Sequence, residues 1–232
     1  LGLDEGGVRA AIEVYDWTIG VPGVYNLIDL ERNRRAAAAL ADRIVEHRRR
    51  YPDTPVHLVG HSGGGGVAVL TLEALPPTHQ VDLVILLAPA LSPDYDLSAA
   101  LSRVRAGVVN FYSRYDIGFL GVGTTVFGSI DRDLGASAGA VGFRRPAELD
   151  AEARDLYIQR LRQVGWTARL RAQGASGTHF GWASRRFAAN YLAGLTGEED
   201  RRRPPPSREG AARVAPGPDS VRISPGRVHN PW

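Results

Sequence analysis

Residues His57 to Gly66, HLVGHSGGGG, run an apolar, strand-like stretch into a serine and then four consecutive glycines. Glycine is a poor helix former, costing roughly 1 kcal/mol relative to alanine in a helix interior. Yet the residues that follow read as a small-residue helix over Gly63 to Leu75. The order of strand, serine and glycines therefore predicts a sharp strand-to-helix turn, stripped of side chains so that helix, sheet and an incoming ligand can approach closely. Such a turn requires a helix packed back onto the strand that precedes it, which restricts the chain to α/β architectures.

The rest of the chain keeps that rhythm. Strand-like runs at Ala11 to Trp17, Val56 to Gly60, Val81 to Ala88, Gly107 to Ser113 and Trp166 to Arg171 alternate with helical patterns. The helical patterns cover Asp29 to Arg50, Gly63 to Leu75, Leu97 to Arg105, Asp150 to Val164 and Ala183 to Leu192. In the first of these, Ala37, Leu40, Ala41, Ile44 and Val45 recur at helical spacing on one face, and Pro52 and Pro55 stop it. VDLVILLA, apart from Asp82, is apolar enough to be a strand covered on both faces. Alternation of this kind predicts a mostly parallel sheet between two helical layers, with ligands at the carboxyl ends of the strands.

Two stretches break the rhythm. Residues 117–149 are glycine-rich without a clear period and read as a long loop over the site. From residue 198 to 232 proline, glycine and charge dominate, which predicts a disordered tail after a single domain at 1–197. No stretch is long and apolar enough for a membrane span, and Leu1 to Arg9 lack the regions of a signal peptide. A chain that starts at Leu1 and contains no Met reads as a processed or truncated piece. The absence of Cys excludes disulfides and a thiol nucleophile. The net charge of +3 comes from 28 arginines and no lysine, spread so that residues 1–197 carry 21 Arg against 20 acidic residues. A nucleic-acid partner needs a concentrated basic stripe, and none is present.

Gly60-His61-Ser62-Gly63-Gly64 fits G-x-S-x-G at a strand-to-helix junction. In that setting a serine sits in a strained turn with its hydroxyl at the top of the sheet. The motif and its surroundings resemble the α/β-hydrolase superfamily, particularly lipase- and esterase-like members, over roughly Ala11 to Leu195. A dinucleotide-binding turn is the competing reading, but the elbow lacks G-x-G-x-x-G, and a chain without lysine has no P-loop.

The resemblance implies a three-layer fold and a serine hydrolase acting on a carboxylic ester, with lipid-like esters among the candidates, and with no cofactor and no metal. Ser62 is then the nucleophile and Gly63 N–H an oxyanion donor. The superfamily's order of serine, acid, histidine implies His179, in the loop GASGTHFGW, as the base. His47, His57, His79 and His229 lie elsewhere, and His61 reads as a packing and hydrogen-bonding residue. Asp116, just after GVVNFYS, is the first candidate for the acid, with Asp94, Asp96 and Asp131 as alternatives. Asp16 and Trp17 could line a pocket or simply cap and pack, and Tyr15, Tyr95, Tyr112 and Tyr115 hint at an apolar crevice.

One departure follows from the resemblance. The loop carrying the second oxyanion donor, and its strand, would precede Leu1, leaving a central vacancy between Ala11 to Trp17 and Val56 to Gly60. Five strands are predicted where the superfamily has about eight. Acyl transfer by the same residues, or a non-catalytic binding protein that retains the fold, are the alternative functions.

Overall fold

The computed structural model describes residues 2–18, 29–116 and 136–202. Its elements, in chain order, begin with α1 (Gly2–Glu5), α2 (Leu30–Arg50), β1 (His57–His61), α3 (Gly63–Ala74), β2 (Val81–Leu87), α4 (Ser98–Ser102) and β3 (Val104–Tyr112). They continue with α5 (Ala138–Val141), α6 (Ala151–Arg160), β4 (Leu161–Gly165), α7 (Ala168–Ala172), α8 (Arg185–Phe187) and α9 (Ala193–Arg202). Short 3-10 turns occupy Arg114–Asp116 and His179–Ala183, and a π-helical turn at Ala188–Leu192 joins α8 to α9.

The four described strands form one parallel sheet in the order β1-β2-β3-β4. Strand β2 is buried along its whole length. Its alternate side chains serve two cores: Val84 and Leu86 join α2, α3, α4 and α6 on one face, while Leu83, Ile85 and Leu87 join Phe111, Trp182, Phe187 and Leu192 on the other. Helical layers on both faces make the three-layer α/β-hydrolase arrangement, and they explain why this strand carries no polar alternation.

Helix α2 shows how local chemistry sets an element's limits. Asp29 caps it by accepting from Arg32 N–H at 3.0 Å, and Asn33, Ala37, Ala41 and Ile44 form its buried stripe. His47, Arg48, Arg49 and Arg50 fill the last turn, where the helix dipole favours positive charge. Arg48 continues inward to Asp82, a carboxylate only 1% exposed at the start of β2. Asp82 also accepts from Val56 N–H at 2.7 Å and pairs with Arg105 at 2.5 Å, so one buried charge ties α2, the approach to β1, β2 and β3 together.

Three sequence expectations need correction. Ala11 to Trp17 is not a strand, because no ladder partner flanks it among the described residues. Instead side chains pin it to α2: Tyr15 Oη donates to Ala36 O at 2.8 Å, Arg32 donates to Trp17 O at 2.7 Å, and Arg43 pairs with Glu13. Between residues 10–17 and β1, which is an edge strand of the described sheet, lies an open groove of about 1560 Å³, on the side where the sequence places the vacancy.

The last strand is Leu161–Gly165 rather than Trp166 to Arg171, and Ala168–Ala172 is helical. Trp166, Ala168 and Leu170 mimic a period of two, but over so short a window that pattern also fits one helical turn, and of Ala168 to Ala172 only Leu170 is buried. The helix predicted over Asp150 to Val164 stops at Arg160, and β3 pairs with the residues that follow, Val108 opposite Leu161 and Tyr112 opposite Gly165.

The predicted loop at 117–149 contains the short helix α5 in its described part, and α9 runs past the predicted boundary at 198 to Arg202. Residues 117–135 and 203–232, with Asp131 and His229, lie outside the described residues.

Candidate active site

Ser62 follows β1 immediately and occupies the N-cap position of α3, with φ 55° and ψ −123°. A non-glycine residue pays a conformational penalty there and holds it only where its surroundings dictate the turn. Three main-chain bonds do so: Ser62 N–H donates to Leu87 O at 2.9 Å, and Ser62 O accepts from Gly65 N–H and Ala90 N–H at 3.0 Å each. The side chain makes no capping hydrogen bond, so the hydroxyl is not consumed by the helix it begins.

The glycines around Ser62 have a steric cause. A Cβ on Gly60 would lie 2.5 Å from Gly64 O, and one on Gly65 would lie 2.9 Å from the Pro89 side chain. Helix α3 thus folds back against β1 and the end of β2 at a separation no side chain permits. Gly63, its first residue, is buried, and its N–H belongs to the opening amides that lack an intrahelical acceptor. Those amides and the dipole of a 12-residue helix give the turn a positive local potential.

Asp116 closes the 3-10 turn after β3, with its N–H donating to Ser113 O at 2.9 Å. Ser113 N–H in turn donates to Gly139 O at 3.0 Å, anchoring this turn to α5. His179 opens the 3-10 turn after α7 and is 3% exposed. Its Nδ1 lies 3.0 Å from Asp116 Oδ2. An ionised carboxylate can only accept, so Nδ1 carries the proton and Nε2 keeps its lone pair. Burial raises the Asp116 pKa above the ordinary aspartate value, and the hydrogen bond and charge of His179 oppose that rise. The other carboxylate oxygen, Oδ1, is buried with no hydrogen-bond partner among the described residues.

The remaining candidates are occupied elsewhere. Asp94 pairs with Arg144 at the surface, and Asp96 accepts from Ser98 N–H, Ser98 Oγ and Tyr157 Oη. Asp16 accepts from Thr18 Oγ1 and N–H, and these bonds lower its pKa. Trp17 lies under the Arg32 guanidinium, and its indole nitrogen approaches Gly64. The four tyrosines do not converge on one crevice. Tyr15 bonds to α2, Tyr95 donates to Glu73, Tyr112 covers Gly165, and Tyr115 meets the Trp166 ring edge to face. His47 packs on Tyr51, and His79 contacts Thr78.

His61 has a partner that the sequence does not reveal. Its Nε2 lies 2.9 Å from the backbone oxygen of His179, and the two rings are 4.6 Å apart. Phe180, 64% exposed, places its ring 5.2 Å from His179 and 6.0 Å from His61. No group of His, Cys, Asp and Glu suited to a metal ion occurs among the described residues, and no described helix is long and apolar enough to cross a membrane.

Comparison with curated proteins and with solved structures gives no match. A family described as serine aminopeptidase, S33, matches residues 31–178, a span that includes the elbow and Asp116 and stops one residue before His179. The chain belongs to that α/β-hydrolase family and is a serine hydrolase of this type.

Proposed function

We propose that the chain hydrolyses carboxylic esters through an acyl-enzyme on Ser62, with His179 as general base and Asp116 as its orienting acid. The observation that carries this reading is the buried pair formed by His179 Nδ1 and Asp116 Oδ2 at 3.0 Å, in a loop that His61 joins to the strained serine. In the acylation step His179 Nε2 takes the Ser62 hydroxyl proton as the oxygen attacks the ester carbonyl. The Gly63 N–H stabilises the resulting oxyanion, and the imidazolium returns the proton to the departing alcohol. Water, deprotonated by the same nitrogen, then releases the carboxylic acid and restores Ser62. Phe180, largely exposed beside His179, offers an apolar surface to a lipid-like acyl group.

The family's description supports a second reading, release of an N-terminal residue from a peptide, because the same residues attack an amide carbonyl. A fluorophosphonate probe tests what the two readings share. Peptide mapping should find the adduct on Ser62, and Ser62→Ala should abolish it; an adduct on another serine overturns the assignment. Turnover of p-nitrophenyl acyl esters against aminoacyl p-nitroanilides then separates the two. Preference for the anilides by kcat/KM would replace the ester reading with the peptide one.

A further inference from the structure

Two loops distant in sequence must hold register for proton transfer between Ser62 and His179. The elbow is held by the end of β2 and by α3, through the Ser62 bonds to Leu87, Ala90 and Gly65. His179 sits instead in a 3-10 turn of only five residues, beyond the five-residue helix α7. Its imidazole donates from Nδ1 to Asp116 at one end, and a bond of that kind does not by itself set the tilt of a ring about the Nδ1 axis. Restraining that tilt requires a contact on the main chain or on the face of the ring.

His61 makes both contacts. A carbonyl oxygen accepts only, so at 2.9 Å the Nε2 of His61 must be the donor to His179 O. Its ring also packs at 4.6 Å and 43° against the His179 imidazole, while Phe180 meets both rings from the solvent side. We infer that His61 is a positioning residue that locks the loop of the base to the nucleophile elbow, through its Nε2–H bond to the His179 carbonyl and its ring contact with the imidazole.

Burial, opposed by that hydrogen bond, brings the His61 pKa down to about 4. The ring is therefore neutral at physiological pH and carries its single proton on the nitrogen facing the carbonyl. It adds no second positive charge when His179 takes a proton, and the groups it faces are His179 and, behind it, Asp116. Position 61 adjoins Ser62 in sequence, so any motion of the elbow is passed to the base loop directly.

The role of His179 as the base rests on the proposed function; the contact itself does not, and two readouts separate them. The first is the low-field proton resonance of His179 Nδ1–H, in wild type, His61→Phe and His61→Gln. Phenylalanine keeps a ring without a donor, whereas glutamine can place an N–H near the position of Nε2. We expect the resonance to be sharp in wild type and His61→Gln and to broaden away in His61→Phe as the pair with Asp116 loosens. The second readout is ester turnover, with kcat reduced on the order of 10²-fold in His61→Phe, little change in KM, and recovery of most of the loss in His61→Gln. If His61→Phe does not fold by circular dichroism, His61→Asn, too short to reach the carbonyl, takes its place. An unchanged resonance in the donor-free variant, or equal loss in His61→Gln, overturns the inference. A wild-type protein with the sharp resonance but no turnover and no labelling of Ser62 overturns the proposed function instead.

Discussion

His179 and Asp116, 63 residues apart in the chain, meet as a buried imidazole and a buried carboxylate 3.0 Å apart. A pair this deeply withdrawn from water costs desolvation energy that neither partner recovers from solvent. Its chemical consequence is a single proton position, on Nδ1, with Nε2 left as the only basic nitrogen of the ring.

Asp116→Asn should therefore lower kcat by roughly 10⁴-fold, because an amide neither enforces the required tautomer nor stabilises the imidazolium. The fold should persist, since the substitution removes a buried charge and keeps the volume. Asp94→Asn, which loses only the surface pair with Arg144, should leave turnover intact. Kinetics on the two variants together decide the acid, and the reverse pattern would reassign it.

Gly60→Ala should destabilise the protein by about 1–3 kcal/mol, the usual cost of forcing atoms into a packed site. The added methyl would meet Gly64 O at 2.5 Å and Gly65 Cα at 2.7 Å, both backbone atoms that no rotamer change can move. Urea denaturation measures the loss. A variant as stable as wild type would mean that α3 can slide away from β1 without penalty.

Asp82→Ala should cost about 3–5 kcal/mol, the range for removing one partner from a buried ion pair. Arg48, 15% exposed, would face the sheet without its carboxylate, and Val56 N–H would lose its acceptor. Because the cluster lies where α2 ends and β1 and β2 begin, away from the carboxyl ends of the strands, ester turnover at temperatures below unfolding should be unaffected. A loss under about 1 kcal/mol would show that solvent replaces the carboxylate.

Glu73 gives a pH-dependent prediction. Burial raises its pKa above the ordinary 4.5, against the hydrogen bond from Tyr95 Oη. A carboxyl group with a raised folded-state pKa contributes stability at pH below its unfolded value and loses it as pH rises through the folded value. Glu73→Gln removes the penalised charge and can still accept from Tyr95. Its melting temperature should equal or exceed that of wild type at pH 7 and converge with it as the pH falls below 4.5. A melting temperature lower at pH 7 than at acid pH, relative to wild type, would contradict the sign.

Most helices and inner strands were legible because their patterns are long or extreme. The predicted Asp29 to Arg50 helix is observed at Leu30–Arg50 with Asp29 as its cap, and the run at 81–88, apolar but for Asp82, gives the buried strand Val81–Leu87. The misreadings fall where a pattern has no neighbour to give it meaning. Ala11 to Trp17 has strand composition, but a strand exists only through its ladder, and side-chain bonds to α2 hold this segment instead. The helical pattern read over Asp150 to Val164 runs past the true helix end at Arg160, because pairing with β3 makes Leu161–Gly165 the strand.

The residues from His57 to Gly66 announce a strand, a strained serine and a close-packed helix through their own residue types, because the missing side chains and the sharp turn are local features, while pairing with β2 and the bonds to Leu87 and Ala90 hold them in place. The same cannot hold for the acid. Asp94, Asp96 and Asp116 all follow strands, and turn chemistry accounts equally well for each in isolation. Only the tertiary structure separates them, by giving Asp94 an arginine, Asp96 a serine and a tyrosine, and Asp116 the imidazole of His179. Likewise the neighbour of Ser62 in sequence, His61, finds its partner 118 residues away. Chain folding alone sets that distance in space, and no period or motif in the sequence encodes it.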